Sequence, residues 1–195
     1  MCQSKTYIAA DLYLGYANII RRDNRPFRNV EEMNQALLKN WNDTVSYDDT
    51  VYFMGAISSG ESADDIDYWL KRLSGNIVFI KGDQNTSGNT EFLLDHVRIN
   101  VGKKQFCLVH NPKDAPEDFE GWIIHAHDYN QDLLKRPFID RKRKTINVSL
   151  EATNYHPIDF AEIEGIVSWA DSIYSEPEYL ITSEVSTFVQ NEQPF

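Results

Sequence analysis

Through the first half of the chain, short apolar runs alternate with longer segments in which apolar residues recur at helical spacing. TYIAAD (6–11) reads as a buried strand. In VEEMNQALLKNWNDTV (30–45), Val30, Met33, Leu37, Trp41 and Val45 fall on one helical face, and Asn29 stands where an N-cap is needed. TVYFMG (50–55) is a second strand. Ser62 then precedes ADDIDYWLKRLSG (63–75), where Ile66, Trp69, Leu70 and Leu73 form a stripe and Gly75 is the stop. NIVFIKG (76–82) is a third strand.

The second half is richer in strands. HVRINVGKKQFCLVH (96–110) predicts a hairpin about Gly102-Lys103, followed by strands at GWIIHAH (121–127) and KTINVSLE (144–151). A helix is expected from about Ile158, after Pro157, with Phe160, Ile163, Ile166, Val167 and Ala170 inward. Residues 175–195 form a tail with strand-like stretches but no sustained pattern. Crossovers that give parallel strands, then hairpins, predict a layered α/β domain with mixed sheets.

Length and composition narrow the class. At 195 residues the expectation is one domain, 1–195, and no run of eighteen apolar residues could span a bilayer, so no membrane association is expected. The first residues lack a basic segment followed by an apolar core, which points to a cytoplasmic protein. Cys2 and Cys107 make no disulfide framework; Cys107 lies inside the apolar run QFCLVH and reads as a reduced core thiol. The formal net charge of −11 argues against broad nucleic-acid binding, since a polyanion is repelled at long range. The basic run KRPFIDRKRK (135–144) reads as a solvated loop.

In open α/β sheets ligands bind beyond the carboxyl ends of the strands, so the residues after each apolar run enumerate a candidate site. Those residues are Asp11, Gly55-Ala56, Gly82-Asp83-Gln84-Asn85, His110-Asn111 and His125-Ala126-His127-Asp128-Tyr129-Asn130. Their order resembles the calcineurin-like metallophosphoesterases, specifically the small bacterial and phage-type members, whose strand ends carry D-x-H, G-D, G-N-H-D or E, a lone His, and G-H-x-H. The phrases NRPF (24–27), EEMNQALLKNWN (31–42), DDTVYFMG (48–55), GNIVFIKG (75–82), GWIIHAH (121–127) and INVSLEATNYHP (146–157) fit the same pattern. The resemblance covers about residues 6–170. It implies an α/β fold, a layered metallophosphoesterase-like β-sandwich of mixed sheets flanked by helices.

The resemblance also implies two divalent ions bridged by the G-D aspartate, the clamp for in-line displacement at phosphorus. Here Ala56 stands at the bridge. The first ion would take Asp11, Tyr13, Ala56 and Tyr129, of which Asp11 alone is an ordinary ligand. The second would take Ala56, Asp83, His110 and His127, a set that can still hold one manganese, zinc or iron ion. Gln84 occupies the position of the family's catalytic histidine, and glutamine cannot supply a proton at neutral pH, which removes general-acid help worth roughly a hundredfold or more. The implied protein is a metallophosphoesterase with a degenerate dinuclear site, impaired or inactive as a hydrolase and acting by binding a phosphate-containing small molecule or a protein partner. The alternative is a weak phosphoesterase using one retained metal.

Each residue also has a plainer reading. Asp11 is either a ligand or a turn cap at a strand end. His110 and His127 are either a retained metal or anion site or hydrogen-bonded relics. His125 reads as a satisfied buried histidine and His156 as structural. Arg21, Arg22 and Arg25, just past the first strand, are expected with Asn85 as contacts to a phosphate-bearing ligand, against solvated charge as the alternative.

Overall fold

The structure is a computed structural model that describes residues 3–58, 63–82, 93–126 and 137–173. The chain divides into two compact units, Met1–Phe160 and Ala161–Phe195. The first unit is α/β, with two mixed sheets flanked by helices.

The first sheet forms from the apolar runs identified in the sequence: β1 (Thr6–Ala10), β2 (Thr50–Met54) and β3 (Asn76–Ile80) are parallel and in step, with Ala10 opposite Met54 and Met54 opposite Ile80. All three strands therefore end at one level. Two helices connect them, α2 (Val30–Thr44) and α3 (Ala63–Leu70). Asn29 caps α2 as its side-chain type suggests: its Oδ1 accepts from the Glu32 N–H at 2.8 Å, while Glu32 reaches back to the Arg28 N–H at 3.0 Å. Met33, Leu37 and Trp41 are fully buried one helical turn apart, in a core with Phe53, Leu73 and Trp69. Burying side chains of this size contributes about 1.5–3 kcal/mol each. Trp41 also needs a partner for its indole N–H and finds the Ser74 carbonyl at 2.9 Å.

Two small elements around this sheet were not anticipated. A five-residue helix, α1 (Asn18–Arg22), follows the first strand, and the helix expected from Ile158 begins two residues late. Ile158–Asp159 instead form a short strand that pairs antiparallel with β1 and closes the sheet in the order third, second, first, last. Two residues carry no periodicity, so only the unsatisfied edge of β1 explains them.

The second sheet begins with the expected hairpin, β4 (Val97–Val101) and β5 (Lys104–Val109). β5 pairs parallel with β6 (Trp122–His125), and β6 pairs parallel with β8 (Thr145–Asn147). β7 (Ile139–Asp140), within the run read as a loop, adds to β8 as an antiparallel edge. β8 is shorter than KTINVSLE suggests. The Asn147 side chain takes the Ser149 N–H at 3.0 Å, a local turn that competes with the ladder, although residues 148–150 remain buried. The last strand of the first sheet, Ile158–Asp159, is β9.

In the second unit the described residues form α4 (Phe160–Ile173), whose residues Ile163, Val167 and Ala170 are buried and Trp169 exposed. Residues 174–195, including the tail noted in the sequence, lie outside the described residues. Among the described residues no helix is long and apolar enough to cross a membrane.

Candidate functional site

Because the strands of each sheet end in step, the residues after them gather on a rim. Asp11, Gly55-Ala56 and Lys81-Gly82 follow the first three strands, and His110 and Ala126 follow β5 and β6. Two hydrogen bonds carry the pairing past the strand ends, from the Asp11 N–H to the Met54 carbonyl at 3.1 Å and from the Ala126 N–H to the His110 carbonyl at 3.1 Å. Asp11 and His110, ninety-nine positions apart, meet there.

Their contact is close and buried. His110 Nε2 lies 3.4 Å from Asp11 Oδ1 and 3.3 Å from Oδ2, and both residues are more than nine-tenths buried. A carboxylate only accepts hydrogen bonds, so this geometry asks for the imidazole proton at Nε2. Oδ1 also accepts from the Ala56 N–H at 3.1 Å. Oδ2 makes no hydrogen bond among the described residues. Gly55 fits between the partners with φ +85°, and a Cβ there would run into Asp11 Oδ1 and lie 2.8 Å from His110 Nε2.

The backbone under the site is strained. Asp11 and Tyr13 have φ of +47° and +53°, the left-handed region, which costs an L-residue with a full side chain about 1–2 kcal/mol. Such strain persists only where the surroundings over-determine it. Here the Tyr13 N–H is held by the Ala56 carbonyl at 3.1 Å and the Leu14 N–H by the Ile57 carbonyl at 2.8 Å.

Of the residues expected to hold the first ion, the described ones, Asp11, Tyr13 and Ala56, offer a single carboxylate. Ala56 contributes its backbone N–H, a donor, where a bridging carboxylate would stand. Tyr13 is turned to other partners: its ring lies 5.0 Å from the Arg22 guanidinium and 6.0 Å from the Tyr16 ring, and its hydroxyl is within hydrogen-bonding reach of Arg22. Asp11 is then left as the sole ordinary ligand, already occupied at Oδ1. Tyr129, Gln84 and Asn85, and the second-ion candidates Asp83 and His127, lie outside the described residues. Among the described residues no group of three His, Cys, Asp or Glu side chains could hold a metal.

The three arginines part company. Arg21 is exposed. Arg22 grips Asp23 through two bonds of 2.8 and 3.2 Å, and that pairing, with the Tyr13 hydrogen bond, holds its guanidinium above the ordinary value. Arg25, expected to meet a ligand, is buried instead: Nη1 donates to the Leu12 carbonyl at 2.8 Å, Nη2 to the Asp11 carbonyl at 2.9 Å, and Nε to Glu151 Oε1 at 3.0 Å. With its fork committed to the interior it is a structural residue of this site. Glu151 was not anticipated, and it lies 126 positions from Arg25, beyond the reach of any local spacing rule.

The other candidates are plainer. His125 is buried, with Nδ1 2.6 Å from the Ala126 carbonyl, and His156 Nδ1 lies 2.6 Å from the Asn154 carbonyl. Cys107 is a buried free thiol whose pKa burial pushes up, so it carries no reactive thiolate.

Comparison with known proteins adds relatives. No protein-family model matches the chain. It is 42% identical over 160 residues to "Uncharacterized protein MJ1445" of Methanocaldococcus jannaschii, covering 81% of this chain and 88% of that protein. It is 32% identical over 185 residues to the gene 66 protein of Mycobacterium phage L5, covering 76% of this chain and 87% of the phage protein. Among solved structures, the crystal structure of the protein of unknown function AQ665 from Aquifex aeolicus superposes with a TM-score of 0.61 at 21% identity, over 84% of this chain and all of that one. That likeness is one of fold.

Proposed function

The chain belongs to the family of the archaeal protein MJ1445 and the phage L5 gene 66 protein, and we propose that it has the calcineurin-like metallophosphoesterase fold with a degenerate two-metal site. In this reading the two sheets form the layers of the family's β-sandwich. The protein acts by binding a phosphate-containing ligand or a protein partner, and its hydrolytic power is impaired.

The observation that carries the reading is the direct contact of Asp11 with His110, with Ala56 beside them. In the family pattern these two side chains serve different ions and a carboxylate bridges those ions at position 56. Here the imidazole and the backbone amide of Ala56 both meet the carboxylate at Oδ1. Two cations held close without a bridging carboxylate would repel strongly. Lowering the pKa of water from about 15.7 to about 7 corresponds to roughly 12 kcal/mol of charge stabilisation for hydroxide, so losing the bridged pair removes much of the usual rate.

A second reading draws on a specific atom. Asp11 Oδ2 is buried and carries no hydrogen bond among the described residues, an acceptor to spare beside an imidazole. It favours one ion held by Asp83, His110 and His127 with Asp11 as a further ligand, and a weak phosphoesterase activity. Metal analysis by mass spectrometry separates the two, after incubation with manganese, zinc or iron and desalting, with His110→Ala as control. The degenerate reading expects no ion retained by either protein; about one ion per chain, lost in the variant, overturns it in favour of the single-metal hydrolase.

A further inference from the structure

We infer that Arg25 and Glu151 form a positioning clamp that sets the Asp11 carboxylate against His110. The inference rests on the placement of Asp11 in the candidate site and not on what the site binds.

Three observations converge on it. The first is where the guanidinium goes. Arg25 spends its two terminal nitrogens on consecutive carbonyls, those of Asp11 at 2.9 Å and Leu12 at 2.8 Å, on the main chain that carries the site's carboxylate. The second is the backbone that those carbonyls belong to. Asp11 and Tyr13 are both in the left-handed region, so the peptide groups between them adopt an orientation that the chain would not hold unaided. Two donors fixed in one plane impose that orientation on both carbonyls at once, which a flexible ammonium cannot do.

The third is how the arginine itself is fixed. Its side chain is 1% exposed, and Nε donates to Glu151, which is 13% exposed. A buried guanidinium without an anion would be strongly unfavourable, so Glu151 makes the clamp possible and sets its direction. Nη1 also lies 3.7 Å from Met33 Sδ, which ties the same group to α2 of the core. The segment about Glu151 follows the second sheet, whereas Asp11 ends a strand of the first. The clamp therefore registers the end of one sheet against the segment leaving the other, and His110 comes from the second sheet. Asp11 and His110 are each other's neighbours because this link holds the two rims in register.

The test uses the ring signals of His110 in long-range proton–nitrogen spectra of the full-length protein at one fixed pH, assigned with a His110→Gln variant. Asp11→Asn defines the displacement that follows when the carboxylate is lost. Arg25→Lys keeps the charge but not the planar fork, and Glu151→Gln keeps volume and an acceptor while removing the anion. The clamp predicts that each variant moves the His110 signals in the direction set by Asp11→Asn, by the larger part of that displacement for Arg25→Lys, while the His96 and His156 signals stay in place. A purely stabilising role would lower the unfolding midpoint and leave the His110 signals at their wild-type positions, and that result would overturn the inference. Should Arg25→Lys fail to fold, Glu151→Gln decides on the same criterion. No metal or ligand enters the readout, so an outcome here is distinct from success or failure of the proposed function.

Discussion

Replacing Gly55 by alanine tests the geometry of the site through stability. Two effects add. At φ +85° an alanine pays the left-handed penalty of about 1–2 kcal/mol. Its Cβ would also collide with Asp11 Oδ1 and sit 2.8 Å from His110 Nε2, so the carboxylate must move away from both the Ala56 N–H and the imidazole. A hydrogen bond to a charged group is worth about 1.5–3 kcal/mol, and here the displaced carboxylate is buried. The sum is a destabilisation of about 2.5–5 kcal/mol by these values. Gly102 supplies the control, since it has φ +58° with nothing within 4 Å of an added Cβ, and its alanine variant pays the backbone penalty alone. Urea unfolding followed by tryptophan fluorescence should show a lower midpoint with an unchanged slope for both variants. The reasoning is refuted if Gly55→Ala costs no more than Gly102→Ala, because the carboxylate and imidazole would then not be packed against position 55.

Two further outcomes follow from local chemistry. Asn29→Ala should cost about 1 kcal/mol in the same unfolding assay, because it orphans the Glu32 N–H at the start of α2; no change would mean that water replaces the cap at no cost. The Tyr155 phenol, pushed up to about 12 by burial first and the nearby Glu151 second, should titrate in phenolate absorbance well above the ordinary 10.0. Its neutral form is favoured by folding, so the stability it contributes is complete below the unfolded value near 10.0 and is lost as pH rises toward about 12. A phenol that titrates at its ordinary value contradicts the burial against Phe27.

Much of this was legible in the sequence, for a physical reason. A parallel strand buried on both faces must be apolar until it reaches the rim, so the first polar residue after each run marks the site, and Asp11 and His110 were found that way. The helical stripe of Met33, Leu37 and Trp41 and the cap at Asn29 were equally plain, being set by residues within four positions of one another. What stayed hidden depends on distant partners. The strand Ile158–Asp159 exists to satisfy an edge of β1, and nothing in two residues announces that. Arg25 looked like its neighbours Arg21 and Arg22, three cations after a strand end. Its difference lies in Glu151, and a pairing across 126 positions leaves no trace in spacing.

The hidden part bears on what a carboxylate at position 11 does for the fold. A buried unpaired anion is costly, so a carboxylate there needs partners of its own. Asp11 has several: Oδ1 accepts the Ala56 N–H, the pair of oxygens faces His110, and its carbonyl is held by Arg25. These contacts join the ends of β1, β2 and β5. Removing the carboxylate would strand the buried Ala56 amide, at about 1–3 kcal/mol for a donor without its acceptor, and would take from His110 its contact with Asp11. The aspartate is thus accounted for by the fold it supports, and its presence does not by itself argue for a metal centre.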